Sequence, residues 1–114
     1  MKEYSKYLVN KSPEVSVLLD KLFLILDEIT KKDYVVERKV TSLHIVKGKA
    51  FLGIHFLKDT LRINIVLEHA ISMPNLYKSE LISKNRFHNR VDLSDPKDLN
   101  KEVIGYIKEA YNLK

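Results

Sequence analysis

The sequence predicts one α+β domain, a two-layer sandwich in which an antiparallel sheet of four or five strands carries an N-terminal and a C-terminal helix on one face. Apolar residues recur at three- and four-residue spacing near both ends of the chain, and at a spacing of two between them. Because each helix has one apolar face and the strands alternate, we expect both helices on the same side of the sheet. The 114 residues fit a single domain, with residues 1–11 as an N-terminal segment packing on the first helix and residues 12–114 as the α+β core.

The first helix is predicted to begin at the Ser-Pro-Glu sequence of residues 12–14 and to end near Lys31. Serine is a favoured N-cap, proline fits the first helical position, and an acid is stabilised at the positive helix end. Its apolar stripe predicts the core face: Val15, Leu18, Leu19, Leu22, Phe23, Ile25, Leu26 and Ile29.

A second, smaller apolar spot lies on the opposite side of this helix. Val17 and Leu24 stand seven residues apart among charged residues. We expect either the aromatic segment 4–9 or a second copy of the chain to cover them, so they are the candidate interface residues of a homodimer.

Residues 34–93 are predicted to form the sheet. Strands are expected at residues 34–40, 42–47, 49–57 and 60–68, joined by short turns into an antiparallel meander, with a last strand at residues 87–93. Residues 71–85 receive no assignment, because their pattern is irregular and Met-Pro-Asn at residues 73–75 marks a break.

The second helix is predicted to open at Asp95-Pro96, with Asp98 as the acid of a capping box. One side of it is apolar: Leu99, Val103, Ile104, Tyr106, Ile107, Ala110 and Tyr111.

The sequence lacks the motifs of several kinds of functional site. The chain has no cysteine, so it has neither disulfides nor thiolate chemistry, and its three glycines do not pair at phosphate-loop spacing. Its four histidines form no metal-ligand pattern, and no nucleophile motif is present. No apolar run is long enough to act as a signal peptide or to cross a membrane. We therefore expect a cytoplasmic protein with no metal, no cofactor and no catalytic residues.

The strongest functional pattern is a set of polar residues at alternate strand positions. Residues 34–93 hold ten Lys and Arg against five Asp and Glu, which accounts for the whole net charge of +5. If the helices cover the face of Leu61, Ile63 and Ile65, the opposite face is open and basic. We predict ligand contacts there from His44, His55, Arg62, Asn64, His88 and Arg90. The alternative is a merely solvated face, because exposed strands also use charge to prevent aggregation.

Six pieces of the sequence carry a resemblance to a known family. They are residues 12–14 (Ser-Pro-Glu), 43–46 (Leu-His-Ile-Val), 50–55 (Ala-Phe-Leu-Gly-Ile-His), 61–65 (Leu-Arg-Ile-Asn-Ile), 87–93 (Phe-His-Asn-Arg-Val-Asp-Leu) and 106–111 (Tyr-Ile-Lys-Glu-Ala-Tyr). Over residues 12–112 the chain resembles the bacterial family called domain of unknown function 5655, which also occurs as the C-terminal module of larger proteins, some labelled predicted transport proteins. The resemblance implies a compact α+β accessory domain and supplies no catalytic residues.

These observations favour a non-catalytic binding or interaction module, with an anionic partner on the open sheet face. Nucleic acid is one such partner, although the sequence places no aromatic residue on that face to stack with bases. The alternative is a self-associating accessory domain that serves a partner protein. An enzyme ranks third.

Overall fold

The computed structural model describes residues 2–113 and has an α+β fold with six strands. Its helices are α1 (Pro13–Thr30) and α2 (Lys101–Asn112), with short 3₁₀ helices at Lys2–Leu8 and Pro96–Asp98. Its strands are β1 (Val35–Arg38), β2 (Ser42–Lys47), β3 (Lys49–Phe56), β4 (Leu61–Leu67), β5 (Leu76–Ser83) and β6 (Arg86–Leu93). The predicted α+β class, antiparallel sheet and terminal helices are confirmed. Among the described residues no helix is long and apolar enough to span a membrane.

The sheet has the strand order β1-β2-β3-β4-β6-β5, and all neighbouring pairs are antiparallel. The first four strands form the predicted meander, after which the chain crosses to β5 at the edge and returns through β6. The prediction of four or five strands was wrong, because residues 76–83 of the unassigned segment form β5. This edge strand exposes most of its side chains, so it lacks the alternation that marks a half-buried strand.

One face of the sheet is buried against the helices. Leu61, Ile63 and Ile65 are fully buried in a core to which α1 and α2 both contribute. Both helices contact β4, and they also contact each other. The intervening residues of β4 therefore point away from this core.

The helix starts were predicted with mixed success. Ser12 occupies the N-cap of α1, but its side chain makes no capping hydrogen bond. The predicted Asp95–Asp98 capping box exists, yet it caps only the short 3₁₀ helix. Helix α2 begins later, at Lys101, because Leu99 is not helical and the Asn100 side chain accepts the capping hydrogen bond from the Val103 amide.

The N-terminal segment packs on α1 and on the sheet. Tyr4 stacks on Phe23 of α1 with ring centroids 5.3 Å apart. Tyr7 stacks on Phe56 and donates a 2.6 Å hydrogen bond to the Lys39 carbonyl.

This segment does not cover the rear of α1, which excludes one of the two predicted covers for Val17 and Leu24. Val17 and Leu24 remain 51% and 70% exposed. The rings of Tyr4 and Tyr7 instead stack on the larger apolar side chains of Phe23 and Phe56, away from the rear of α1. Burial of Val17 and Leu24 by a second copy stays a prediction.

Candidate ligand site

The six residues predicted to contact a ligand lie on one face of the sheet, which we call the open face. Strand register places His55 beside Arg62, and His44, Asn64 and Arg90 in one row across the sheet with Gly53 between the first two. His88 lies one row further along, beside Val66. Binding by this face stays a prediction.

The two arginines that the sequence singled out already have acidic partners. Arg62 donates through Nε and Nη2 to Asp92 over 2.6 and 3.1 Å, and this pairing raises the pKa of Arg62. Arg90 donates to Glu80 over 3.0 Å, and this hydrogen bond lowers the pKa of Glu80. Their charges are thus largely compensated within the sheet, where the sequence had indicated free cations.

A shallow groove of about 440 Å³ runs along one end of the open face, and we call it the Tyr77 groove. Its lining consists of His55, Leu57, Arg62, Tyr77, Lys78, Glu80 and Arg90. The Arg62 guanidinium carbon lies 3.5 Å from the centroid of the Tyr77 ring, a cation–π contact. The sequence placed no aromatic residue on this face, and Tyr77 reaches it from the strand that the sequence did not reveal.

A smaller depression of about 120 Å³ lies over Asn64, and we call it the Asn64 pocket. It is lined by His44, Ala50, Leu52, Gly53, Asn64, Val66, Arg86 and His88. Asn64 Oδ1, His88 Nε2 and Arg86 Nε are buried and have no hydrogen-bond partner among the described residues. Buried polar groups are normally paired, so three unpaired ones in a single depression point to a ligand.

Gly53 lines the Asn64 pocket between Asn64 and His55 of the neighbouring groove. Its φ is not positive, so the backbone there does not require glycine. An added Cβ would lie 3.4 Å from Asn64 Cβ and 3.7 Å from His55 Nε2. A glycine inside a strand often marks a close approach by a ligand, and here it keeps the space between Asn64 and His55 open.

Two histidines of this face, His55 and His88, have lowered pKa values. Burial lowers the pKa of His55, and nearby His44, Arg90 and Arg62 lower it further. Burial likewise lowers the pKa of His88, as do Arg86 and Arg90. Both rings are therefore uncharged at neutral pH. Within residues 2–113 no group of three His, Asp or Glu side chains is placed to hold a metal ion.

A third cavity, of about 280 Å³, lies at the end of the sheet beside the Asn64 pocket, and we call it the basic cavity. It shares Ala50, Val66 and Arg86 with the Asn64 pocket and adds Lys49, Lys84 and Glu68 among others. In the part of the chain that the structure describes, Lys49, Lys84 and Arg86 make no ion pair. Among the described residues, these three side chains are the unpaired cations that line the basic cavity.

Sequence reasoning missed these cations, although one could have been found. Arg86 lies two residues before His88 and therefore on the same face, but the last strand was predicted to begin at residue 87. Lys49 and Lys84 lie at two different hairpin turns. Whether those two turns lie close to each other depends on the strand order, and no sequence pattern gives that order.

Comparison with known proteins gives one match. A family model described as Domain of unknown function (DUF5655) matches residues 5–114. No curated protein and no solved structure matches the chain. The match names no ligand, so the role of the open face has to be inferred from its geometry.

Proposed function

Because the chain belongs to the DUF5655 family, whose description names no activity, we propose its function from the open face: it is a non-catalytic binding module that holds an anionic partner at Arg86. The observation that carries this proposal is the state of the Arg86 side chain. Its Nε is buried without a hydrogen-bond partner, and the residue lines both the Asn64 pocket and the basic cavity. A guanidinium in this state favours an oxyanion, which offers short, charge-assisted hydrogen bonds.

The surrounding charges support the same proposal. Lys49 and Lys84 line the basic cavity with Arg86, and Glu68 is the one acid in its lining. Arg62 and Arg90 contribute less, since Asp92 and Glu80 neutralise them. The anion contact is therefore centred on Arg86 instead of on the arginines that the sequence favoured.

Cavity size favours a small anionic group over a long polyanion. The Asn64 pocket and the basic cavity have volumes of about 120 and 280 Å³, and Arg86 lines both. Single-stranded nucleic acid needs a charged track with stacking rings, and Tyr77 already carries Arg62 on its ring. Oligonucleotide binding is accordingly expected to be weak and strongly dependent on salt.

The absence of catalysis is inferred from how the carboxylates are used. Asp92 and Glu80 each accept hydrogen bonds from an arginine, and neither accepts one from a histidine of the open face. A histidine needs such an orienting partner to act as the base of a hydrolytic triad. Binding without chemistry is the simpler role for this face.

The proposal is tested by titrating the protein with sodium pyrophosphate at low salt and following amide chemical shifts. We expect shifts around Arg86 and Lys84, and an affinity at least about tenfold lower, or 1.4 kcal/mol, in the triple variant Lys49→Gln, Lys84→Gln, Arg86→Gln. The matched control is Lys58→Gln, Lys97→Gln, Lys101→Gln, which removes the same charge from exposed lysines elsewhere. Equal loss in both variants, or no shift at about 10 mM pyrophosphate, ten times a 1 mM Kd, would refute the proposal.

A second candidate function, self-association, is favoured by the exposed apolar pair on α1. Val17 and Leu24 keep 51% and 70% of their surface exposed on the side of α1 away from the core. Burying them in a symmetric dimer would remove that surface from water. Sedimentation of the wild type and of Leu24→Lys tests this, because only the wild type should sediment faster as its concentration rises.

A further inference from the structure

We propose that the Asn64 pocket selects the ligand: it takes a hydroxyl or amino group carried next to the oxyanion that Arg86 binds. The inference rests on the proposed function, because it requires an anion at Arg86. It goes further by naming the chemical class of the ligand, an oxyanion with a neighbouring hydrogen-bond donor.

The first step concerns the donors and acceptors in the pocket. Asn64 is nine-tenths buried, with 9% of its surface exposed, and its unpartnered Oδ1 can only accept a hydrogen bond. Arg86 Nε can only donate, and the neutral His88 ring has one nitrogen of each kind. A ligand that satisfies all three must present a donor to Asn64 and an acceptor oxygen to Arg86.

The second step concerns charge. Asn64 and His88 are uncharged at neutral pH, whereas Arg86 is a cation that no acid pairs in the described part of the chain. Sulfate, an oxyanion that carries no hydroxyl group at neutral pH, would satisfy Arg86 but would leave Asn64 Oδ1 facing another acceptor. An oxyanion with a hydroxyl beside it satisfies both groups.

The third step concerns size. A volume of 120 Å³ corresponds to roughly four water molecules, so the pocket suits a group of a few atoms. Gly53 preserves that volume, because a Cβ there would approach Asn64 Cβ to 3.4 Å. Phosphate monoesters of small polyols fit these three requirements, and small hydroxy acids do as well.

The experiment compares sn-glycerol 3-phosphate with n-propyl phosphate, which has the same charge and chain length but no hydroxyl groups. By calorimetric or NMR titration we expect the wild type to prefer glycerol 3-phosphate by about three- to tenfold, the effect of one neutral hydrogen bond. Asn64→Leu should bring that ratio close to one while propyl phosphate still binds. Arg86→Gln should weaken both ligands together.

A second variant keeps the test valid if Asn64→Leu does not fold. Gly53→Ala adds one methyl group to the floor of the pocket, and we expect it to lower the preference for glycerol 3-phosphate without weakening propyl phosphate. Gly105→Ala is the matched control, since a Cβ at that helix position meets nothing within 4 Å. Its ratio should equal that of the wild type.

The failures of the two proposals are distinguishable. Equal wild-type affinity for both phosphates, unchanged in Asn64→Leu and Gly53→Ala, overturns this inference and leaves anion binding at Arg86 intact. No binding of either phosphate overturns both proposals.

The same hydroxylated phosphate occurs in a lipid headgroup, so binding to phosphatidylglycerol vesicles is measured as a separate experiment. Binding to the vesicles without binding to free glycerol 3-phosphate would also overturn this inference, because the headgroup would then act only as part of a surface.

Discussion

Arg62 shows how the neighbours of a side chain decide what that side chain can do. It lies half-buried between the carboxylate of Asp92 and the ring of Tyr77, so its charge, its donors and its flat face are all engaged within the protein. Arg86 carries the same functional group, but its Nε is buried and unpartnered. The same residue type is therefore structural at one position and available for a ligand at the other.

Replacing Arg62 should cost stability because its partners depend on it. Arg62→Ala leaves Asp92 without its two hydrogen bonds, and we expect a loss of about 2 kcal/mol in the free energy of unfolding, since hydrogen bonds to charged groups contribute about 1.5–3 kcal/mol. Tyr77→Ala removes the cation–π contact but keeps the pairing of Arg62 with Asp92, and it should cost about 0.5–1 kcal/mol. Urea unfolding measures both. A loss in Arg62→Ala no larger than that of the exposed control Lys58→Ala would show that the cluster does not stabilise the fold.

At the scale of single positions, the sequence predicted which face a residue takes but not what it touches. The alternation within β4 and β6 correctly placed Arg62, Asn64, His88 and Arg90 together, because a strand sends every second side chain to the same side. The acidic partner Glu80 and the stacking partner Tyr77 both come from β5. They could not be foreseen while residues 71–85 had no assignment.

At the scale of elements, the crossover from β4 to β5 is fixed by one buried polar residue. Asn89 on β6 is fully buried, and its Oδ1 accepts from the Ile71 amide at 3.2 Å and from Ser79 Oγ at 2.5 Å. Its Nδ2 donates to the carbonyls of Ile65 and His69. Asn89 thus joins β4, β5 and the residues that connect them. It is a polar residue on the core side of β6, where the neighbouring side chains are apolar.

Asn89→Ala should loosen this crossover before the rest of the fold. The substitution leaves the buried Ile71 amide and the part-buried His69 carbonyl without these partners, and we expect a loss of about 3 kcal/mol in unfolding free energy, at the upper end of the cost of an unsatisfied buried group. Hydrogen exchange at the Ile71 amide should accelerate more than exchange in α1. Asn112→Ala, at an exposed position of α2, is the control. Equal acceleration in the crossover and in α1 would contradict the assignment of a local role.

The same elements show why part of the fold followed from sequence. Helix α1 and the first four strands have strong apolar periodicity and short turns, and these local signals predicted their ends to within about two residues, whereas α2 was predicted to open at Asp95-Pro96 and begins at Lys101. Strand β5 has no such signal, because an edge strand has one neighbour and its side chains are mostly exposed. The order β4-β6-β5 depends on long-range contacts such as those of Asn89, which a single sequence does not display.

At the scale of the whole molecule, the histidines give opposing contributions to the dependence of stability on pH. His69 donates hydrogen bonds from Nδ1 to the Ala70 carbonyl and from Nε2 to Glu109 Oε2, over 3.0 and 2.6 Å, which ties the crossover to α2. These two groups raise the pKa of His69. Burial in the open face lowers the pKa values of His55 and His88. Each shift is a change in proton affinity between the unfolded and folded chains.

The signs of these shifts predict a maximum of stability near pH 6.5. The contribution of His69 is fully present below the unfolded value of about 6.5 and is lost as pH rises through its raised folded pKa. The contributions of His55 and His88 are present above about 6.5 and are lost as pH falls through their lowered folded pKa values. The free energy of unfolding should therefore decrease on both sides of this pH.

Urea unfolding between pH 5 and pH 8 measures this profile, and matched variants separate its two arms. Glu109→Gln removes the carboxylate beside His69, so it should flatten the alkaline arm and leave the acid arm unchanged. His55→Gln should flatten the acid arm alone, because glutamine does not titrate, whereas His55 has a pKa that burial lowers. A profile that rises steadily from pH 5 to pH 8 in the wild type would show that His69 contributes nothing. An acid arm unaffected by His55→Gln would mean that burial in the open face does not suppress protonation of that ring.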